Sequence, residues 1–131
     1  MLLIDTEVRD TLSKKGMGLF SMEFVPKGAV VWEFNSLIDK EISYKEIENL
    51  PNSVKIFLNK YGYVDEFTGL ILFDGMNDRF MNHSNIPNIS FDNSSKGVGI
   101  AVVDINIGDE ITCDYRSFDE GSKENLGFIE E

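Results

Sequence analysis

Short runs of β-branched and aromatic residues, each bounded by turn-forming residues, recur along most of this chain and limit what it can fold into. Such runs are typical of strands. They predict strands over residues 2–8, 19–22, 29–34, 70–73, 89–91, 98–103 and 110–115. Glycine and proline predict turns at 14–18 and 25–28, and 93–97 predicts a hairpin-type loop. Many short strands indicate a mainly β, α+β fold of several small sheets.

One stretch in the middle of the chain has a helical pattern. Ser43 followed three residues later by Glu46 fits a capping box at a helix N-terminus. Pro51 ends that helix or opens the next one, which is predicted over residues 52–60 and is stopped by Gly62. The sequence therefore predicts a short helical insert within a β-rich domain.

The charge of the chain narrows the class of partner. Its 131 residues carry 12 basic and 23 acidic side chains, a net charge of −11. Phosphate recognition depends on Lys and Arg, so we expect no direct nucleic-acid partner. Attraction to a basic protein segment fits the charge, and so does plain solubility.

Length and composition predict one domain in a reducing compartment. The chain has the size of a single domain, predicted over residues 1–131. Cys113 is the only cysteine, which excludes an internal disulfide and a zinc site built from several cysteines. We expect no bound metal, no membrane span and no signal peptide. An intracellular protein is the resulting expectation, cytoplasmic or, if it acts on a host's chromatin, nuclear.

Three segments contain residues that could support chemistry. Gly16-Met17-Gly18 is a short glycine loop whose backbone could approach a ligand closely, although a simple tight turn explains it too. Residues 78–88 concentrate Arg, Asn, His and Ser around one Pro, which suits hydrogen bonding to a polar heterocycle. Residues 106–115 form a turn and a strand that ends at Tyr115. Taken singly, each segment is equally compatible with an ordinary structural role.

Taken together and in this order, the three segments resemble the motifs of the SET-domain family of protein lysine methyltransferases. Gly16-x-Gly18 followed by Leu-Phe is similar to the family's opening motif. Residues 79–88, R-F-M-N-H-S-N-I-P-N, resemble its second motif, and residues 108–115, G-D-E-I-T-C-D-Y, resemble its third. The resemblance covers about residues 14–116, the expected core, and leaves 117–131 as a C-terminal flap or tail. It implies a SET-domain fold with a knot-like C-terminal crossing.

The resemblance also implies where S-adenosylmethionine and the acceptor lysine bind. Tyr115 is then the catalytic tyrosine and a cofactor neighbour, and it orients the amine. The remaining implied cofactor residues are Gly16, Met17 and Gly18 through their backbone, Asn82 through its side chain, His83 through its backbone, and Arg79 either as a cofactor neighbour or as a structural clamp. The implied walls of the lysine channel are Phe34, Tyr61, Tyr63, Phe91, Cys113 and Phe118. Each wall aromatic could equally be plain core packing.

The positions that limit methylation in this family match Phe91 and Cys113, and neither carries a phenol. The resemblance therefore implies di- or trimethylation. Cysteine-rich zinc modules found in many members are lacking in this sequence, so Phe118, Phe128 or a second subunit must cover the site, and a homodimer is one expectation. A basic protein or peptide bearing lysine is the expected substrate. The alternatives are a SET-fold module that binds peptide or cofactor without turnover, and a small β-rich structural protein.

Overall fold

The structure is a computed structural model that describes residues 1–13, 15–65, 68–91 and 97–115. Within these residues the strands form three small sheets, with strand orders β1-β2-β10-β7, β3-β9-β8 and β4-β6-β5. The strands are β1 (Thr6–Asp10), β2 (Met17–Ser21), β3 (Val30–Trp32), β4 (Lys40–Ile42), β5 (Tyr63–Val64), β6 (Ile71–Phe73), β7 (Asn82–His83), β8 (Ile89–Phe91), β9 (Gly99–Ala101) and β10 (Glu110–Cys113). The predicted mainly β, α+β fold is confirmed.

Two helices lie between β4 and β5, where the sequence predicts them. Helix α1 (Tyr44–Ile47) begins at the predicted capping box, since Ser43 Oγ accepts from the Glu46 N–H and Glu46 Oε1 accepts from the Ser43 N–H. Helix α2 (Asn52–Tyr61) follows Pro51 and ends where the Gly62 N–H donates to the Leu58 carbonyl at 2.7 Å. Only Leu58 of this helix is buried.

Several elements differ from the sequence prediction. Leu2 forms an isolated bridge with Trp32, and the first regular strand begins only at Thr6. A 3-10 turn at Asn77–Phe80 precedes β7, in a region for which the sequence gives no helical signal. The strands β4, β5 and β7 have two or three residues, too few to show an alternating pattern.

One apolar cluster holds the first two sheets together. Leu19 of β2 and Ile111 of β10 come from the first sheet, and Val31 of β3 and Ile89 of β8 from the second, and all four are fully buried. Burial of such side chains contributes roughly 1.5–3 kcal/mol each. The cluster fixes β2 and β10 against the rest of the domain. No helix in the described part of the chain has the length and apolar character that crossing a bilayer requires.

Candidate functional site

The first sheet brings the three sequence motifs together. Strand β10 pairs antiparallel with β2, with Ile111 opposite Leu19. On its other side β10 pairs parallel with β7, with Thr112 opposite Asn82 and Cys113 opposite His83. The glycine loop, the Asn-His pair and the segment that ends at Tyr115 therefore lie on neighbouring strands. This arrangement joins the two segments whose crossing the family resemblance implies.

The glycine loop is tied to the other two motifs through the side chain of Asn82. Its amide donates to the Met17 carbonyl at 3.0 Å and to Glu110 Oε2 at 2.9 Å. A Cβ at Gly18 would lie 2.7 Å from Thr11 Cγ2, 2.8 Å from Glu110 Oε2 and 3.2 Å from Asn82 Nδ2. Glycine at this position therefore leaves the Asn82 amide its place beside the Met17 backbone.

The His83 side chain has a role that the sequence analysis does not predict. The ring is buried, and its Nδ1 accepts from the Tyr115 N–H at 3.1 Å. Its Nε2 lies 2.9 Å from Asn85 Oδ1, so a neutral ring protonated at Nε2 satisfies both contacts. The histidine thus fixes the backbone of the tyrosine. The His83 carbonyl accepts from Lys15 Nζ at 2.8 Å.

Asn88 is a second positioning residue without a predicted role. Its amide donates to the Glu110 carbonyl at 2.8 Å, and its Oδ1 accepts from the Thr112 N–H at 2.9 Å. The side chain therefore completes the backbone hydrogen bonding of β10. The Pro-Asn pair that closes the second motif is the sequence signal from which this role could have been inferred.

A pocket with a volume of about 90 Å³, partly open to solvent, lies next to this strand junction. Its lining residues are Trp32, Lys60, Tyr61, Gly62, Tyr63, Asp74, Asp78, Arg79, Met81, Phe91, Cys113 and Tyr115. Tyr115 is half-buried there, and its hydroxyl donates a hydrogen bond to the Met81 carbonyl. The carbonyl immediately precedes Asn82, so the phenol sits directly beside the Asn-His pair.

Most of the predicted channel residues line this pocket. Tyr61 ends α2 and Tyr63 opens β5, so both line the pocket from a helix–strand junction. Phe91 and Cys113 line the pocket as well, whereas Phe34 lies outside this lining and packs, half-buried, against the main core. Phe118 lies outside the described residues, as do Phe128 and the rest of the predicted flap or tail.

Arg79 lies on the wall of the same pocket. Its guanidinium is 5.0 Å from the Phe80 ring centroid and 5.9 Å from that of Tyr61, and Nη1 donates to the Met76 carbonyl at 3.2 Å. Contacts of this kind are attractive and rigidify the wall. They place Arg79 in the pocket wall, and its role as a cofactor neighbour or as a clamp on the crossing stays a prediction.

Two groups in the pocket wall remain protonated. Burial, with additional repulsion from nearby carboxylates, raises the pKa of the Tyr63 phenol well above its usual range. Burial likewise raises the pKa of the Cys113 thiol, so it stays a thiol at neutral pH and is a poor nucleophile or metal ligand. Both side chains therefore shape the pocket as neutral groups.

Three carboxyl groups form a cluster that the sequence analysis did not identify. One oxygen each of Asp39, Asp74 and Asp78 lies within 4.8 Å of the other two. Burial raises the pKa of Asp74 well above the usual carboxyl range and also raises that of Asp78. Asp74 and Asp78 are close in the sequence, but Asp39 is distant from both, so only the fold reveals that the three carboxyl groups lie together.

Comparisons with known proteins agree with this geometry. The model of the SET domain family matches residues 16–116. The structure is similar to the methyltransferase domain of human histone-lysine N-methyltransferase SETMAR, with a TM-score of 0.58 and 24% identity over 87% of this chain and 45% of that one. No curated protein matches the sequence.

Two further solved structures show the same likeness of fold. A candidate histone methyltransferase of Plasmodium falciparum has a TM-score of 0.56 and 23% identity, over 87% of this chain and 95% of that one. A humanized mutant of the Chaetomium thermophilum Polycomb Repressive Complex 2, bound to an inhibitor, has a TM-score of 0.65 and 20% identity, over 92% of this chain and 16% of that one. This chain thus spans less than half of the human domain's length.

Proposed function

Because the chain belongs to the SET domain family, we propose that it transfers methyl groups from S-adenosylmethionine to lysine side chains of a protein substrate. One observation supports this most directly. The Tyr115 phenol lies in a pocket rich in aromatic side chains and donates a hydrogen bond to the carbonyl of Met81, the residue before Asn82 and His83. The site thus pairs a pocket suited to an aliphatic chain with the segment proposed to hold the cofactor.

The residues proposed to hold S-adenosylmethionine are compatible with it. Nothing lies within 4 Å of the position a Cβ would take at Gly16, so a ligand can approach the backbone of the loop there. The Asn82 side-chain oxygen can accept from an ammonium, and its NH2 group can bind a carboxylate by exchanging Met17 or Glu110, to which it now donates. The His83 carbonyl can accept from an adenine amine, in which case Lys15 leaves the position it now occupies. When bound, the cofactor would supply an activated, positively charged sulfonium methyl group.

The chemical obstacle to lysine methylation is the proton on the amine. A free lysine has a pKa of about 10.4, so near neutral pH roughly one molecule in a thousand is a neutral nucleophile, a cost of about 4 kcal/mol. Desolvation in an apolar channel lowers that cost. Tyr61, Phe91 and Met81 provide such surroundings along the pocket wall.

The proposed work of Tyr115 is positioning and electrostatic stabilisation. Its hydroxyl is held by the Met81 carbonyl and its backbone by the His83 ring, so the phenol is fixed before any substrate arrives. A preorganised dipole of this kind stabilises charge that develops during transfer without a reorganisation cost. The pocket walls align the lysine, which supplies the orientation that an in-line displacement needs.

The substrate we propose is a basic protein segment. The net charge of −11 and the carboxyl cluster beside the pocket attract cations. A histone-like tail would suit this charge, and a basic ribosomal protein or translation factor would suit it equally, in the cytoplasm or the nucleus. Phe91 and Cys113 leave the pocket without a phenol at the proposed limiting positions, so we propose di- or trimethyl-lysine as the product.

The test is transfer of a labelled methyl group from S-adenosylmethionine to a panel of basic proteins, with Tyr115→Phe as the control. The proposal expects label on lysine and its loss in the variant. Cofactor binding without transfer to any substrate would favour a binding module, and failure to bind the cofactor would refute the enzyme. Mass spectrometry of exhaustively converted product tests the degree of methylation, which monomethyl-lysine alone would contradict.

A further inference from the structure

The carboxyl cluster beside the pocket has so far been given only a general attraction to basic substrates, and no part in the chemistry. Asp74 and Asp78 line the same pocket as Tyr115, and Asp39 lies behind them. Carboxylates are among the side chains least often buried in proteins, and burying them without a partner is unfavourable. Their presence in the wall of a pocket that several aromatic side chains line therefore calls for a physical explanation.

Asp78 is the member of the cluster whose hydrogen bonding is incomplete. Its side chain is buried, with 5% of the residue exposed, and its Oδ2 accepts from Trp32 Nε1 at 2.6 Å. Its Oδ1 is buried and has no hydrogen-bond partner among the described residues. Asp39 differs, since its oxygens accept from the N-terminal ammonium at 2.8 Å and from backbone N–H groups at 3.0 and 3.2 Å. The unsatisfied acceptor therefore belongs to a residue that lines the pocket.

We propose that the Asp74–Asp78 pair binds the ammonium group of the lysine that enters the pocket and accepts its proton. This inference rests on the proposed function. In the step, one N–H bond of the ammonium breaks and an O–H bond forms on one of the two carboxyl groups. The electrons of the broken N–H bond stay on nitrogen as the nucleophilic lone pair. A pair that carries one negative charge becomes neutral in this step. It returns the proton to solvent after the product leaves, which accounts for the one proton that each methylation releases.

Burial makes this pair a better proton acceptor than exposed carboxyl groups. The pKa gap between an ordinary carboxyl and a lysine is about 6 units, or roughly 9 kcal/mol, which is a steep barrier to proton transfer. Burial raises the pKa of both Asp74 and Asp78 and so narrows the gap. The charged and titratable groups around the pair are Asp39, Tyr63, the N-terminal ammonium, Lys60 and Arg79.

Trp32 allows the ionisation of the Asp74–Asp78 pair to be measured without any catalytic turnover. It is the only tryptophan, and its indole N–H donates to Asp78, so one indole signal in a proton–nitrogen correlation spectrum reports the ionisation of the pair. The probe is n-butylammonium, which has the length of a lysine side chain. The control is n-butanol, an uncharged molecule of the same chain length. The indole shift is followed against pH with each probe at saturating or highest soluble concentration.

The proposal expects n-butylammonium to lower the midpoint of the titration, because a cation favours the deprotonated pair. An opposite charge within a few ångströms typically lowers a carboxyl pKa by about 1–3 units, so a shift of at least about half a unit is expected. n-Butanol should leave the midpoint in place. Asp74→Asn and Asp78→Asn should lose the cation-induced shift, and the exposed Asp5→Asn, the matched control, should keep it.

Three results would overturn the proposal: no shift with n-butylammonium, an equal shift with n-butanol, or a cation-induced shift that survives in Asp74→Asn. Should Asp78→Asn not fold, the Asp74→Asn comparison decides alone. Mg²⁺ is titrated separately, and a shift with Mg²⁺ but not with n-butylammonium would make the cluster a metal site instead. Because neither cofactor nor protein substrate is present, a failure of methyl transfer and a failure of this inference are distinguishable.

Discussion

Asn82 connects the three motifs, and replacing it by aspartate tests that connection. The two side chains have the same shape, but aspartate presents an oxygen where the amide donates to Met17 and Glu110 at 3.0 and 2.9 Å. Asn82→Asp therefore removes both hydrogen bonds and places a second carboxylate against Glu110. Asn82→Ala removes the hydrogen bonds without adding charge, which makes it the matched control.

The expected costs follow from these contacts. Two hydrogen bonds, one of them to a charged acceptor, contribute roughly 2–4 kcal/mol together, so Asn82→Ala should lower the free energy of unfolding by about that amount. Two like charges about 4 Å apart repel by about 1 kcal/mol in water and by about 4 kcal/mol at an effective dielectric constant near 20. The site is half-buried. Asn82→Asp should therefore be about 1–3 kcal/mol less stable than Asn82→Ala at pH 7.5.

Acid should remove that difference. Repulsion makes the folded variant bind a proton more readily than the unfolded chain does, so the free energy of unfolding of Asn82→Asp should rise, relative to Asn82→Ala, as the pH falls from 7.5 toward 5. The assay is urea unfolding followed by the fluorescence of Trp32, which is 3% exposed in the folded protein. An aspartate variant as stable as the alanine variant at pH 7.5, with no relative gain in acid, would refute the reasoning.

Two further predictions concern other parts of the fold. Gly75→Ala would place a Cβ 1.9 Å from the Ile38 carbonyl oxygen, a backbone atom that cannot move aside, so we expect a loss of about 3 kcal/mol or more in urea unfolding. Gly69→Ala, where nothing lies within 4 Å but φ is +70°, should cost only about 1–2 kcal/mol, and equal costs would contradict the account. The buried Cys113, whose thiol pKa is raised, should react with a disulfide reagent at pH 8 only at the rate of unfolding, and rapid labelling of the folded protein would contradict its placement.

Much of the fold could be predicted from the sequence because local signals were strong. The capping box at Ser43 and Glu46 places the start of α1, and the stop at Gly62 places the end of α2 within a residue, whereas α1 ends at Ile47, before the predicted stop at Pro51. Strand β8 (Ile89–Phe91) agrees with its predicted bounds. Two-residue strands such as β7 carry no periodic pattern, so their positions depend on pairing partners distant in the sequence.

Some residues of the candidate site could be predicted from the sequence, and others could not. Tyr115, Asn82 and His83 come together because their motifs resemble those of a family, and no local rule places residue 115 beside residue 82. The His83 ring was assigned no role, since a lone histidine gives no indication of which backbone it will contact. The carboxyl cluster depends on Asp39 and Asp78 approaching across 39 positions of the chain, which only tertiary contacts determine.

The central claim is that the Tyr115 hydroxyl acts on transfer and not on binding. The most direct measurement is the single-turnover rate of methyl transfer by Tyr115→Phe with cofactor and substrate at saturation. Removal of one preorganised dipole typically slows a reaction by about 10²–10³, and the account predicts a loss of that size with cofactor affinity unchanged. A transfer rate within about threefold of the original protein would contradict it, since that is under 1 kcal/mol of transition-state stabilisation.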